Sequence, residues 1–157
     1  MCNIGKKNRE LNKIGKLEIQ ESEILKYQEV EDFFVNNENV ILVSRNGAID
    51  FSIVTELIKQ AESKPNLYGI LTKKQFENNW KLQYIGQRKA KYIRDRLRQH
   101  LIKKDIRTGA QLERVNQELK NGGDIGIKLF SVKPDELRQF YEQKLMNKIE
   151  TLWNKHR

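Results

Sequence analysis

The spacing of apolar residues changes period several times along the chain. Ile24, Leu25, Tyr27, Val30, Phe33 and Phe34 recur at helical spacing and predict a helix from Glu21 to Phe34, ending near Asn36-Asn37. Val40 to Val43 is a short β-prone run, and the Asn46-Gly47 pair beyond it marks a turn. Phe51, Ile53, Val54, Leu57 and Ile58 return to helical spacing between Ile49 and Lys59, and Pro65 stops that helix. Two aliphatic and aromatic runs, Asn66 to Thr72 and Leu82 to Ile85, read as strands. The stretch between them, KKQFENNWK, is long for a tight hairpin.

Lys89 to Lys103 predicts a helix with Ile93, Leu97 and Leu101 on one face and Tyr92, Arg96 and His100 on the stripe beside it. Gly109 to Leu119 predicts another, closed by Asn121-Gly122-Gly123. Ile125 to Val132 predicts a third strand, in which apolar Ile125, Ile127 and Leu129 alternate with polar Lys128. Pro134-Asp135-Glu136 suits a first helical turn, and the helix runs through Leu137, Tyr141, Leu145, Ile149 and Leu152 toward Trp153. Residues 64–157 therefore predict an α+β domain on a small, three-stranded, mainly antiparallel central sheet flanked by helices. Residues 1–63 predict an N-terminal extension, a loosely ordered arm over residues 1–20 followed by helices.

Charge narrows the partner. The 157 residues hold 30 Lys and Arg against 21 Asp and Glu, a net charge of +9. With a pI near 9.6 the chain suits a polyanion, since basic side chains gain affinity by displacing counterions from phosphates. The same charge would serve docking on membranes or acidic proteins. The single cysteine, Cys2, can form no internal disulfide and offers no zinc knuckle, which points to a reducing compartment. No apolar run approaches the roughly 20 residues that span a bilayer, and the start MCNIGKKNRE lacks the apolar core of a secretory signal. A soluble, cytoplasmic protein is expected.

The candidate chemistry centres on Arg96 and His100, four residues apart and so projecting from one helix face. Arginine offers a planar fork of donors that clamps phosphate oxygens. Histidine moves a proton near neutral pH or positions a water. An isolated Arg-x-x-x-His is ordinarily a solvated helix face; here Tyr68 and Tyr84 stand on the two strands just upstream, and Gly86 lets the chain turn close to a ligand.

These residues resemble the GIY-YIG nuclease family over roughly residues 64–154. Tyr84-Ile85-Gly86 matches its second motif, and Arg96 and His100 match the pair on its helix. Asn66-Leu67-Tyr68 stands for Gly-Ile-Tyr, keeping the tyrosine and replacing the glycine by a residue tolerant of unusual backbone angles. Glu142 matches the family's metal-binding carboxylate, ahead of Glu136 and Glu150 on the same segment, and Asn154 or Asn147 stands for an Asn that often follows it.

The resemblance implies hydrolysis of phosphodiester bonds in double-stranded DNA with one Mg²⁺, for which Mn²⁺ substitutes. Glu142 would hold the metal and Arg96 the phosphate. Tyr68, Tyr84 and His100 would orient the water, with the general base open among the three. Lys89, Lys91, Arg94, Arg98 and Asn154 would contact DNA; Phe76, Trp80 and Tyr92 are candidate base contacts, although aromatic residues more often pack in the core. Within the family the small chain is most like type II restriction endonucleases, of prokaryotic or phage origin; palindromic cutting would call for a homodimer, and residues 1–63 would serve DNA recognition or dimerisation. Structure-specific repair or mobile-element nucleases, and a non-catalytic nucleic-acid-binding relative, are the alternatives.

Overall fold

A computed structural model describes residues 13–17, 23–61, 64–105 and 109–154. Most of the predicted arm, Cys2 included, lies outside the described residues. In chain order the elements are β1 (Gly15–Leu17), α1 (Glu23–Val35), β2 (Ile41–Leu42), β3 (Ser44–Arg45), β4 (Ala48–Ile49), α2 (Phe51–Gln60), β5 (Leu67–Lys73) and β6 (Lys81–Gln87). They continue as α3 (Ala90–Leu101), α4 (Leu112–Lys120), β7 (Asp124–Val132), a 3-10 turn (Asp135–Leu137) and α5 (Arg138–Lys148).

Local chemistry explains several boundaries. Asn46 and Gly47 both have positive φ, 53° and 77°, which two-residue hairpin turns require, and they join β3 to β4. Asp50 caps α2 by accepting the Ser52 N–H at 3.2 Å. In the β5–β6 loop the Glu77 N–H donates to the Lys74 carbonyl at 3.0 Å, and Phe76 occupies the turn with φ 69°, a left-handed conformation that costs a non-glycine residue roughly 1–2 kcal/mol.

The fold is α+β, as the residue pattern predicts, but its main sheet is mixed and has five strands rather than three. β6, β5 and β7 form the expected antiparallel set. The far edge of β7 is shared by two strands from before residue 64: β1 pairs parallel with Phe130–Val132, and β2 pairs antiparallel with Gly126–Ile127. β2 lies within the predicted β-prone run Val40–Val43, whereas β1, at three residues, is too short to show a period of two and is not foreseen. Gly15 is required by the register, because the Phe130 ring lies where its Cβ would stand.

Both faces of the sheet are covered. Tyr68, Ile70, Tyr84, Ile125, Ile127 and Leu129 pack with Val54 and Leu57 of α2, Ile93, Leu97 and Leu101 of α3, and Val115 of α4. On the other face Leu67, Leu71, Ile85, Phe130 and Val132 meet Tyr27, Val30 and Phe34 of α1, and Tyr141 and Leu145 of α5. A strand covered on both sides tolerates little polarity, and β7 is buried from Ile125 to Val132.

Lys128 is the correction on that strand, because alternation would put it in solvent and it is wholly buried. Its Nζ donates to the carbonyls of Phe33 and Asn36, both at 2.6 Å, and to Asn36 Oδ1 at 3.0 Å. It thereby satisfies carbonyls that the end of α1 leaves open, where a cation is favoured by the helix dipole. Burial lowers its pKa to about 8, with the Glu38 carboxylate acting in the opposite direction.

The last helix is also shorter than its spacing predicts. It stops at Lys148, Ile149 is extended, and Leu152 and Trp153 lie in a separate turn. Trp153 packs against the first core, and its backbone N–H donates to the Gln83 carbonyl of β6 at 2.9 Å. The partly buried Trp153 side chain thus meets the sheet in place of a further helical turn. No helix among the described residues is long and apolar enough to cross a membrane.

Candidate active site

Four of the predicted residues converge on one face of the sheet. Tyr68 projects from β5 and Tyr84 from β6, and His100 reaches them from the last turn of α3. The ring centroids form a triangle of 6.1 Å (Tyr68–Tyr84), 5.5 Å (Tyr68–His100) and 5.0 Å (Tyr84–His100). Gly86 makes room for this group: it lies opposite Tyr68 in the β5–β6 register, and a Cβ there would overlap the Tyr68 ring and hydroxyl. The glycine of the second motif is therefore a packing requirement, set by a ring crossing the neighbouring strand.

Two hydrogen bonds fix His100. Tyr68 Oη lies 2.8 Å from Nε2, and the Gln111 backbone N–H donates to Nδ1 at 2.9 Å. A peptide N–H can only donate, so Nδ1 carries a lone pair and the proton of the neutral ring sits on Nε2. Nε2–H then donates to the Tyr68 oxygen, and neither ring nitrogen offers a free lone pair. Burial, reinforced by the positive charges of Arg96 and Arg88, lowers the pKa of His100 to about 3, which keeps the imidazole neutral.

The Tyr68 phenol is held well above its usual range, mainly by burial and next by Tyr84, while the charge and hydrogen bonding of Arg96 and the charge of Arg88 act the other way. Arg96 is only 7% exposed; its guanidinium donates to Gln99 Oε1 at 3.0 Å, yet its buried Nε has no hydrogen-bond partner. An arginine donor left open beside two tyrosines and a neutral histidine is chemically suited to an anion, because an unmet buried donor costs roughly 1–3 kcal/mol until something accepts from it.

Glu142 stands on α5, also 7% exposed and with polar contacts of its own. Its neighbours Tyr141 and Leu145 belong to the second core, on the opposite face of the sheet from the tyrosine-histidine group. Among the described residues no three His, Cys, Asp or Glu side chains cluster as a ready-made metal cage. A lone carboxylate is still a fitting Mg²⁺ ligand, because that ion keeps several waters and takes substrate phosphate oxygens as its remaining partners.

Lys89, Lys91, Arg94 and Arg98 are all exposed around the start and outer face of α3. Lys91 Nζ sits 4.9 Å from the Tyr92 ring centroid, and the Arg94 guanidinium 5.7 Å from that of Phe51. Asn154 is spent differently from the DNA contact that the sequence suggests: its Oδ1 accepts the Ile85 N–H at 2.7 Å and its Nδ2 donates to the Ile85 carbonyl at 2.9 Å. The side-chain amide copies a neighbouring strand residue on the edge of β6.

Asn66 behaves likewise. Its φ is not positive, and its amide accepts the Val132 N–H at 2.9 Å and donates to the Val132 carbonyl at 2.8 Å. The departure from the first motif thus adds hydrogen bonds to β7 and has nothing to do with unusual backbone angles.

Three contributors escape a reading of the sequence: Gln99, Arg88 and the backbone of Gln111. Gln99 follows Arg96 by three helical positions and could have been found by that spacing. A backbone N–H leaves no mark in the sequence. Comparison of the chain with family models, with curated proteins and with solved structures yields no match.

Proposed function

We propose that the protein is a Mg²⁺-dependent DNA endonuclease of the GIY-YIG kind, a type II site-specific enzyme acting on double-stranded DNA. The observation that carries the reading is the open Nε donor of Arg96 beside the Tyr68–His100 pair. Arg96 would clamp a non-bridging oxygen of the scissile phosphate and offset the charge gained in the transition state. Glu142, whose helix packs against the other face of the sheet, would have to reach the same phosphate to hold a metal there, and that metal would supply neutralisation of charge on the phosphate and the departing oxygen.

Water adds to phosphorus as the bond to the leaving oxygen breaks, and one proton of that water must be accepted. With both nitrogens of His100 engaged, a tyrosine oxygen is the available acceptor. Donation from Nε2–H and the charge of Arg96 would favour a Tyr68 phenolate, working against burial and the neighbouring Tyr84, which hold the phenol well above its usual range. Lys89, Lys91, Arg94 and Arg98 would hold flanking phosphates. Cytoplasmic action, a homodimer on palindromic sites and Mn²⁺ substitution belong to the same reading.

Plasmid DNA incubated with Mg²⁺ or with EDTA, beside the Glu142→Ala variant, tests it. Discrete fragments from the unaltered protein with Mg²⁺ alone, together with DNA binding but no cutting by the variant, are expected. Binding without cutting under all conditions, branched and variously methylated substrates included, sinks the catalytic reading. The second reading, a non-catalytic nucleic-acid-binding relative, is favoured by one observation: Tyr68 and His100 are 1% and 0% exposed, so a phosphate reaches them only if their cover moves.

A further inference from the structure

The tip of the β5–β6 loop carries the most exposed large apolar side chain among the described residues, Phe76 at 95%. It holds the third position of the turn closed between Lys74 and Glu77, with φ 69°, a place where glycine or asparagine is ordinary. Neither burial nor backbone preference accounts for phenylalanine there. The loop is held at its base, where the Trp80 N–H donates to Asn37 Oδ1 at 2.7 Å, and at its tip, where Gln75 packs against Gly122.

The loop itself is rich in lysine, with the acids Asp124, opposite Lys73 in the sheet, and Glu118, beside Gly123, at its base. Lys73, Lys74 and Lys81 flank the loop against Glu77 within it, and Lys120 precedes the turn that holds Gln75. Lys73 Nζ lies 5.1 Å from the Trp80 ring centroid, which places a second aromatic side chain beside the charge. An exposed aromatic ring on a loop flanked by lysines matches stacked bases bordered by phosphates better than it matches an apolar protein pocket.

We propose that Phe76 is a wedge that inserts between stacked bases of duplex DNA, with Lys73, Lys74 and Lys81 on the adjoining phosphates. The inference rests on DNA being the partner, though not on catalysis. Tyr68 and Lys73 are five residue steps apart on β5, about 17 Å at the usual rise, so on DNA lying along that strand the wedge engages about five or more base steps from the Tyr68–His100 group.

The test uses the full chain in EDTA, so that no strand is cut, and a mixed-sequence duplex carrying 2-aminopurine, whose fluorescence rises on unstacking. The unaltered protein should bind and raise the fluorescence. Phe76→Gly should lose the rise and bind roughly five- to a hundredfold more weakly, the range of one base–aromatic stack. Its melting temperature should be unchanged or higher, since glycine suits the positive φ, and Phe76→Trp should keep the rise.

Equal affinity and fluorescence for Phe76→Gly overturns the wedge while DNA binding stands. Failure of the unaltered protein to bind any duplex overturns the wedge and the DNA reading together. Loss of a homodimer by Phe76→Gly in sedimentation, with affinity per protomer unchanged, assigns the ring to a second copy of the chain and also overturns the wedge. Plasmid cleavage is scored separately, so insertion without cutting supports the wedge and overturns only the nuclease.

Discussion

The Gln111 backbone N–H lies 2.9 Å from His100 Nδ1 and leaves that imidazole a single role, that of a neutral donor from Nε2 to Tyr68. A cation cannot form there without setting two N–H groups against each other, in agreement with a pKa near 3.

Acid should therefore unfold the protein through His100. Between pH 3 and 6.5 the unfolded chain binds a proton that the folded one refuses, so stability rises with pH across that window and falls as pH is lowered through it. Urea midpoints at pH 7 and pH 4 should differ by the equivalent of a few kcal/mol, and His100→Gln should flatten the dependence. An unchanged slope in the variant would show that other groups carry the acid response.

Tyr68→Phe removes the acceptor of Nε2–H and strands a buried donor, at a cost of roughly 1–3 kcal/mol by chemical denaturation. If Tyr68 also accepts the water's proton, single-turnover cleavage should drop by roughly 10²- to 10⁴-fold with DNA affinity kept. Full cleavage by a folded Tyr68→Phe protein would remove that role and point to Tyr84.

Lys128 acts at the other end of the pH scale. Its folded pKa of about 8 lies below the ordinary 10.5, so the unfolded chain holds the extra proton between those values and stability should rise with pH over that range. Lys128→Met should abolish the rise and cost about 1–3 kcal/mol at pH 7, because the carbonyls of Phe33 and Asn36 lose their donor. Thermal melts at pH 7 and pH 10 read both effects.

Asn154→Ala separates a structural from a DNA-binding role. With its amide committed to Ile85, truncation should destabilise the fold by roughly 1–2 kcal/mol and leave the salt dependence of DNA binding unchanged. A shallower salt slope with unchanged stability would restore the DNA contact.

What the sequence exposes follows from the range of the interaction. Helices α2, α3 and α4 and strands β5, β6 and β7 are legible because their apolar spacing repeats over seven or more residues, and the Asn46-Gly47 turn because its backbone angles restrict the residue types. Tyr68, Tyr84, Arg96 and His100 are legible as a set because two strands and the following helix carry them within a short stretch of chain. Lys128 is not, since a polar residue in an alternating strand looks the same whether it meets solvent or the carbonyls of a distant helix end. Neither are β1 and the pairing of the β-prone run Val40–Val43 with β7, whose partners lie across most of the chain, nor the end of α5, where Trp153 packs against the first core.

The doubly shared edge of β7 sets the order in which the molecule can be made. Gly15 and Phe130 are neighbours in the sheet but more than a hundred residues apart in sequence, and β2 waits on the same strand. During synthesis the earliest strands emerge with no ladder to join, and that side of the sheet forms only after translation has passed Val132. Such long-range closure is entropically slow, so folding of this small protein should be set by a late, nonlocal event, with transiently unpaired β1 and β2 segments in need of protection until it occurs.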